Sequence, residues 1–537
     1  MVWIVLCCSA ATAAPGGDGV PYVVQPGDHL WSIAQRYLQQ PRQALKLAQA
    51  NHVAHPQRLQ PGTVLQIPAA WLREQPAPVQ LLAVSGEVLV QPADAPARAA
   101  TVGEALLAPA RLSTGAQGSV SLGFADGSRA LLLRGSELQV LRSDLRLLDQ
   151  AGMVSLKLLR GSLENEVPPR AETGRRYEIR TPAAIAAVRG TRFRVHSAGP
   201  GPQAQARTEV LAGAVQFANP AGTVLAQAGQ GSLAQRDTAP APPVPLLPPP
   251  STAGLPQLVE RWPAQWAFTP LAGAATYRVQ LASDAGFATV VLDQQLPTPR
   301  LQLPAALALP DGRYWLRLRG IDALGLEGDS AEQALQVRTQ PAPPLMLEPA
   351  SDAQLIQPQP RFQWTENPDS LGYQLQLYAQ DVQAPYLDVR TEHGAYQPPQ
   401  PLPLGRYRWR VAGVGRDGAA GPFGEAQAFV RAEPGPAATL AAAQEPLVLR
   451  WNPQAGAAGY QLELSSATPA APVLDLRADE PSYPLPPLPP ATYQVRVRTV
   501  GADGVPGPWG EPQDFAVPEP VPPHWPRLLL LLPLVLL

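Results

Sequence analysis

YVVQPGDHLWSIAQRY, residues 22–37, and LQPGTVLQIP, residues 59–68, bound the segment whose reading decides how the chain is built. Tyr22-Val23-Val24 predicts a short strand, and Pro26-Gly27-Asp28 predicts a turn. Leu30, Trp31, Ile33, Ala34, Tyr37 and Leu38 follow at helical spacing, and Asp28 stands where it is expected to cap that helix. A second helix is expected over residues 42–50, closing at Asn51. Pro61-Gly62 gives a loop, and residues 64–67 a second strand. The result is a βααβ module of fewer than fifty residues.

The GDxLWxIA run, the Asn that ends the second helix and the final PGxxLxIP together resemble the LysM domain, over residues 21–69. What this resemblance implies is a binder of N-acetylglucosamine-containing glycans, in bacteria usually peptidoglycan. It places the sugar in a shallow groove, with Gly27, Asp28, His29 and Leu30 on one side and Asn51, His52 and Val53 on the other. The family commonly has Thr or Ser where this chain has His29, a departure that bears on affinity and pH dependence. Each residue also has a structural reading: Leu30 and Trp31 as core, Asp28 as a cap, Asn51 as a helix end.

Residues 2–8 form an apolar run followed by SAATAA, which fits a signal peptide over residues 1–13 with Ala11-Thr12-Ala13 as its cleavage site, although the basic start is missing. Cys7 and Cys8, the only cysteines, do not fit the usual lipoprotein pattern. A chain cut after Ala13 has no disulfide, thiol nucleophile or thiolate metal site. With 537 residues, several domains are expected. Lys and Arg number 41 against 43 Asp and Glu, a balance that gives no reason to expect nucleic acid. The 66 prolines lie between modules rather than throughout them.

Residues 79–236 carry short Val- and Leu-rich runs broken by Gly: LLAVSGEVLV, GSVSLGFADGSRALLL, VSLKLLRGSLE and TEVLAGAVQFAN. Asp126-Gly127 between apolar residues signals a hairpin, so an all-β domain of about a dozen strands is expected. Its centre, YEIRTPAAIAAVRGTRFRV at residues 177–195, resembles the hallmark segment of the FecR domain. The best-known FecR-type proteins relay a signal from an outer-membrane receptor to a sigma factor through a cytoplasmic segment and a spanning helix. Here a signal peptide and the LysM-like module stand in that place, and no run of about 20 apolar residues occurs. Arg189-Gly190-Thr191 reads as a structural turn. Glu164 and Glu166 read as carboxylates on a solvated strand face.

APAPPVPLLPPP, residues 239–250, has seven prolines in twelve and is expected to be an extended, semi-rigid spacer within a linker at 237–256. Three repeats follow, at 257–340, 342–432 and 434–517. Each has a Trp (Trp266, Trp364, Trp451), a first Tyr strand and then a second (GRYWLRLRGI, GRYRWRVAGV, ATYQVRVRTV). Tyr314, Tyr407 and Tyr493 are 93 and 86 residues apart, a period that matches one immunoglobulin-sized β-sandwich each. The Trp is expected between the sheets, the Tyr at a structural corner and the strand's Arg residues in solvent. These repeats resemble fibronectin type III domains, which implies spacers or protein-binding surfaces.

The tail, 518–537, ends in ten apolar residues from 528, about half of a ~30 Å bilayer core in helical form. Trp525 and Arg527 suit a membrane interface, whereas Pro533 weakens a helix. Membrane contact through the tail and docking on a partner both remain open. An enzyme is not expected: H-E-x-x-H, G-x-S-x-G and P-loop signatures are absent, and His52 and His55 have no nearby carboxylate with which to hold a metal. The fold class expected is therefore multidomain and mainly β: a small βααβ module, an all-β domain and three sandwiches. The function expected is a non-enzymatic, cofactor-free, exported envelope protein that binds peptidoglycan and displays its β modules to an unidentified envelope protein. The alternative is a periplasmic FecR-type signalling component.

Overall fold

The computed structural model describes residues 19–169, 176–188, 190–199, 201–304, 307, 309–380, 382–440, 447–466 and 472–518. The signal-peptide segment with Cys7 and Cys8, Arg189 and residues 519–537 of the tail lie outside them. The chain divides into two compact units, residues 1–337 and 338–537.

In the first unit, strand Gly19–Val23 pairs antiparallel with Val64–Pro68, from Gly19 opposite Pro68 to Val23 opposite Val64. Helices Leu30–Tyr37 and Ala44–Ala50 lie between them, and Pro41–Gln43 forms a 3-10 turn before the second. Pro41 suits a first helical turn because its missing N–H would have no partner there anyway. Val20, Tyr22, Ile33, Leu47, Leu65 and Ile67 form the module core, in keeping with both periodicities. Trp31 departs from the expected pattern: it is 55% exposed, because a helix of eight residues can bury only one stripe. The module is not on a free tether. Leu38 bridges to Leu72, the Arg73 N–H donates to the Tyr37 carbonyl at 2.7 Å, and Leu148 of the next domain packs on the module core.

The next domain runs from strand Glu74–Pro76 to Val244–Pro245, with more and shorter strands than the dozen expected. Its ladders form two sheets around one core and share a single strand of 15 residues, Gly152–Glu166. The first half of that strand pairs antiparallel with Glu137–Arg146 and parallel with Arg176–Arg180. Its second half pairs with Arg129–Leu132 and Arg192–Ala198 in the other sheet. The strand changes sheets at Gly161, whose φ of +92° only glycine adopts readily. A Cβ there would fall 2.5 Å from Ser136 Cα.

The FecR-like hallmark forms the hairpin of Arg176–Arg180 with Ile185–Val188. Thr181 closes it: its Oγ1 donates to the Ala184 carbonyl at 2.8 Å and accepts the Ala184 N–H at 2.9 Å. Gly190, at φ +74°, makes the tight turn expected of the RGT triplet. Tyr177 is buried with edge-on contacts to Phe124 and Phe193, and its hydroxyl donates to Asn165 at 3.0 Å.

Three two-sheet sandwiches follow, one in the first unit and two in the second. In the middle one, Met346–Glu348, Phe362–Trp364 and Ala395–Tyr396 form one sheet. Ala353–Leu355, Gln427–Arg431, Gly405–Val414, Gly372–Ala379 and Leu387–Thr391 form the other. Each sandwich fixes its corner with a tyrosine: the hydroxyls of Tyr314, Tyr407 and Tyr493 donate to the carbonyls of Pro310, Pro403 and Pro489 at 3.0, 2.9 and 3.0 Å. The inter-sheet tryptophan needs one correction. Trp364 and Trp451 are buried edge-on to Tyr373 and Tyr460. In the first sandwich that place belongs to Phe268, edge-on to Tyr277 at 5.0 Å. Trp266 lies two residues earlier on the same inward face, where it is only partly buried against that core.

The proline-rich linker is not a spacer in solvent. Val244–Pro245 adds a rung to strand Gln230–Gln235, with Gly231 opposite Val244. The Leu246 N–H donates to Gly229, and the Leu247 carbonyl accepts from Asp329 of the first sandwich. Proline fits there because an edge strand leaves one row of N–H groups without a ladder partner. Among the described residues, no helix is long and apolar enough to cross a membrane.

Candidate functional site

The groove of the βααβ module lies between two loops, each fixed by local hydrogen bonds. On the first, His29 is the helix N-cap: its Nδ1 accepts the Ser32 N–H at 2.9 Å, and Ser32 Oγ accepts the His29 N–H at 3.0 Å. Asp28, expected to be the cap, has another task. Its carboxylate accepts the Tyr22 hydroxyl at 2.6 Å and the Gln25 N–H at 2.8 Å, tying the loop to the first strand. Partial burial would raise its pKa, but these two donors outweigh that and hold the carboxyl below its usual range. Burial and the same carboxylate push the Tyr22 phenol up to about 12. Capping fell to His29 because an imidazole with an unprotonated Nδ1 can accept there, as a Thr or Ser oxygen does.

On the second loop, Asn51 caps the second helix and clamps it to the sheet. Its Nδ2 donates to the Leu47 and Gln66 carbonyls at 3.0 and 2.9 Å, and its Oδ1 accepts the Gln66 N–H at 2.6 Å. The His52 N–H donates to Gln49 and the Val53 N–H to Ala48, a Schellman ending with His52 left-handed at φ +52°. A non-glycine residue in that conformation costs about 1 kcal/mol or more. His52→Gly is therefore expected to raise the unfolding free energy of the module by about 1 kcal/mol, read by urea denaturation. A destabilised variant would contradict the assigned cap.

The seven candidate residues thus divide. Leu30 is core, 3% exposed, so only its backbone is open to a ligand. The Asn51 amide and the Asp28 carboxylate are engaged within the module. Gly27, at φ +87° with no atom within 4 Å of an added Cβ, and the exposed His29 and His52 line open space, with Val53 half-buried beside them.

A second site joins the FecR-like domain to the first sandwich. Glu164 does not face solvent, as expected of it. It accepts Arg317 Nη1 at 3.1 Å and Arg319 Nη1 at 2.6 Å, while Glu166 stays exposed. Arg278 grips Asp293 with two hydrogen bonds at 2.8 and 2.6 Å and also pairs with Glu327. Glu327 is shared with Arg319 at 2.9 Å. Arg194 Nη2 donates to the carbonyls of Glu327 and Gly328 at 2.7 and 2.9 Å. Burial by itself would raise the Glu164 carboxyl, but Arg319 and then Arg317 outweigh it and hold it at about 2.

Equivalent arginines in the second unit also lie over aromatic rings, as Arg317 does over Phe287 at 3.6 Å from the centroid, but their rings stand at a different place in the repeat. Arg410 lies 4.4 Å from the centroid of Phe423, and Arg496 and Arg498 lie 4.8 and 4.2 Å from that of Trp509. Where the later repeats carry GPFG and GPWG, the first has Gly328-Asp329-Ser330-Ala331, so Ser330 stands in the place of the ring. Arg319 Nε donates to the Ser330 hydroxyl at 2.8 Å, and its other end is left to reach Glu164. That missing aromatic is the sequence signal that could have marked the docked face.

Two family models match the chain, the LysM domain over residues 22–68 and FecR protein over residues 110–216. The protein therefore carries a LysM domain followed by a FecR domain. No curated protein matches it. Among solved structures, the FN1–FN3 domains of chicken CNTN1 are 15% identical, covering 48% of this chain and 94% of that one, with a TM-score of 0.20. A structure described as an anti-sigma factor from Parabacteroides distasonis ATCC 8503 is 13% identical, with a TM-score of 0.21. The match covers 25% of this chain and 59% of that one, little more than half its length. These likenesses are slight, and the fold rests on the ladders described above.

Proposed function

We propose that the protein is a non-enzymatic, exported cell-envelope protein that binds peptidoglycan through its LysM domain and presents its β modules to an envelope partner. The observation that carries this reading is the LysM match over residues 22–68, together with the open groove edged by Gly27, His29, His52 and Val53. The ligand would be an N-acetylglucosamine glycan, met by loop backbone groups and by the apolar edge of Val53. The exposed Trp31 supplies a further apolar face on the same module.

The test is co-sedimentation of the purified chain with insoluble peptidoglycan, with a soluble N-acetylglucosamine oligomer as competitor. Binding is expected to be displaced by the oligomer. His52→Glu, which places a carboxylate at the groove in place of the imidazole, is expected to weaken it at least tenfold. A chain that stays in the supernatant, or pellets regardless of the oligomer, overturns the reading. A periplasmic signalling role is the second reading. It is favoured by the FecR match and by the ion-paired union of that domain with the first sandwich.

A further inference from the structure

A cavity of about 420 Å³ lies where the FecR domain meets the first sandwich, walled by Arg194, His196, Arg207, Glu209, Arg278 and Glu327. That volume is within the range of small-ligand sites. Glu327 and the neighbouring Glu164 are each held by two arginines at 3.1 Å or less, so their charge is answered within the protein.

Two guanidinium groups keep N–H groups without a hydrogen-bond acceptor among the described residues, although Glu209 and Glu327 stand within ion-pair distance of Arg194. Arg194, 5% exposed at its side chain, has Nε and Nη1 buried without a hydrogen-bond acceptor among the described residues, the nearest carboxylate oxygens lying at 3.6 Å. Arg207 is half-buried and its guanidinium makes no ion pair or hydrogen bond among the described residues, its Nη1 lying over Gly325, where an added Cβ would collide with it. Buried N–H groups of an arginine without acceptors are rare and costly, and a planar guanidinium matches an oxyanion in shape as well as charge.

We propose that this cavity is a binding site for a small oxyanion, phosphate, sulfate or a small carboxylate, held between the guanidinium groups of Arg194 and Arg207. Burial is the largest cause of the shifts of the groups around the cavity. Burial, and next Arg319, push the Arg194 guanidinium down. Burial, and next Arg207, lower His196 to about 4, while its Nδ1 shares a hydrogen with Ser162 Oγ at 2.7 Å. Glu209, the facing carboxylate that no guanidinium hydrogen-bonds among the described residues, is pushed by burial up to about 7. It can therefore take a proton when an anion enters.

Calorimetric titration of the full chain with sodium phosphate, sulfate or succinate, at ionic strength fixed with chloride, tests this. Saturable binding of at least one probe is expected. Arg207→Gln, which breaks no described contact, should weaken it at least tenfold, and Arg450→Gln on the third sandwich should not. In wild type the bound probe should also raise the titration midpoint of the His196 ring resonance, assigned by its loss in His196→Gln. Absence of saturable binding by all three probes, or unchanged binding by Arg207→Gln, overturns the proposal.

Discussion

Glu164→Ala is expected to lower the stability of the union between the FecR domain and the first sandwich by about 3–5 kcal/mol. The carboxylate is the shared acceptor of Arg317 and Arg319, and Arg319 is 2% exposed at its side chain. Removing the acceptor leaves two largely buried guanidinium groups with less counter-charge. The pair as a whole is no proof of stability, because desolvating the ions offsets much of their attraction; the cost arises on breaking it. The measurement is urea denaturation with hydrogen exchange of strands Gly152–Glu166 and Gly312–Ile321 as the readout. Glu166→Ala, on an exposed neighbour, serves as control and should stay within about 0.5 kcal/mol.

The pH dependence follows from the sign of the shift. Glu164 titrates at about 2 in the folded protein against 4.5 ordinarily. Its contribution is therefore present in full above the ordinary value and is lost as pH falls through about 2. The gap between wild type and Glu164→Ala should be widest at neutral pH and close below that window. A gap of under 1 kcal/mol at pH 7 would mean that the arginines find other partners.

Gly161→Ala is the second large effect. At φ +92° an alanine is strained whatever the space, and its Cβ would stand 2.0 Å from Ser136 Oγ and 2.5 Å from Ser136 Cα. Ser136 is itself held, since its Oγ accepts the Ser162 N–H at 3.0 Å, so the clash cannot be relieved by a rotamer change alone. A loss of about 3 kcal/mol or more is expected, with poor soluble yield. Gly135→Ala isolates the backbone term: φ is +62°, but no atom lies within 4 Å of the new Cβ, so about 1 kcal/mol is expected. Equal losses in the two variants would show that the Ser136 contact is soft.

What was legible in the sequence was what local chemistry decides. Pro-Gly turns, helical spacing and an Asn at a helix end gave the LysM module, and the tyrosines gave the sandwich corners. What misled was a choice among near neighbours or a distant contact. Asp28 and His29 are both able to accept a backbone N–H, and only the Tyr22 hydroxyl at 2.6 Å shows which of them is engaged elsewhere. Trp266 drew the alignment away from Phe268 because a Trp is conspicuous, although nine residues to the following Tyr is the spacing all three repeats share. Glu164 alternates along its strand as a surface carboxylate should, and the arginines that bury it are more than 150 positions away. The linker prolines fix extended backbone, which serves an added strand as well as a spacer.

The substitution of Ser330 for the ring found at Phe423 and Trp509 has a consequence for the order of the repeats. The three sandwiches share a scaffold, yet they are not spare copies of one another. A copy bearing an aromatic at that place would keep its arginines folded onto its own surface and present the FecR domain with a face already occupied. The position adjoining the FecR domain is thus keyed to a single repeat, and shuffling the array would disconnect it.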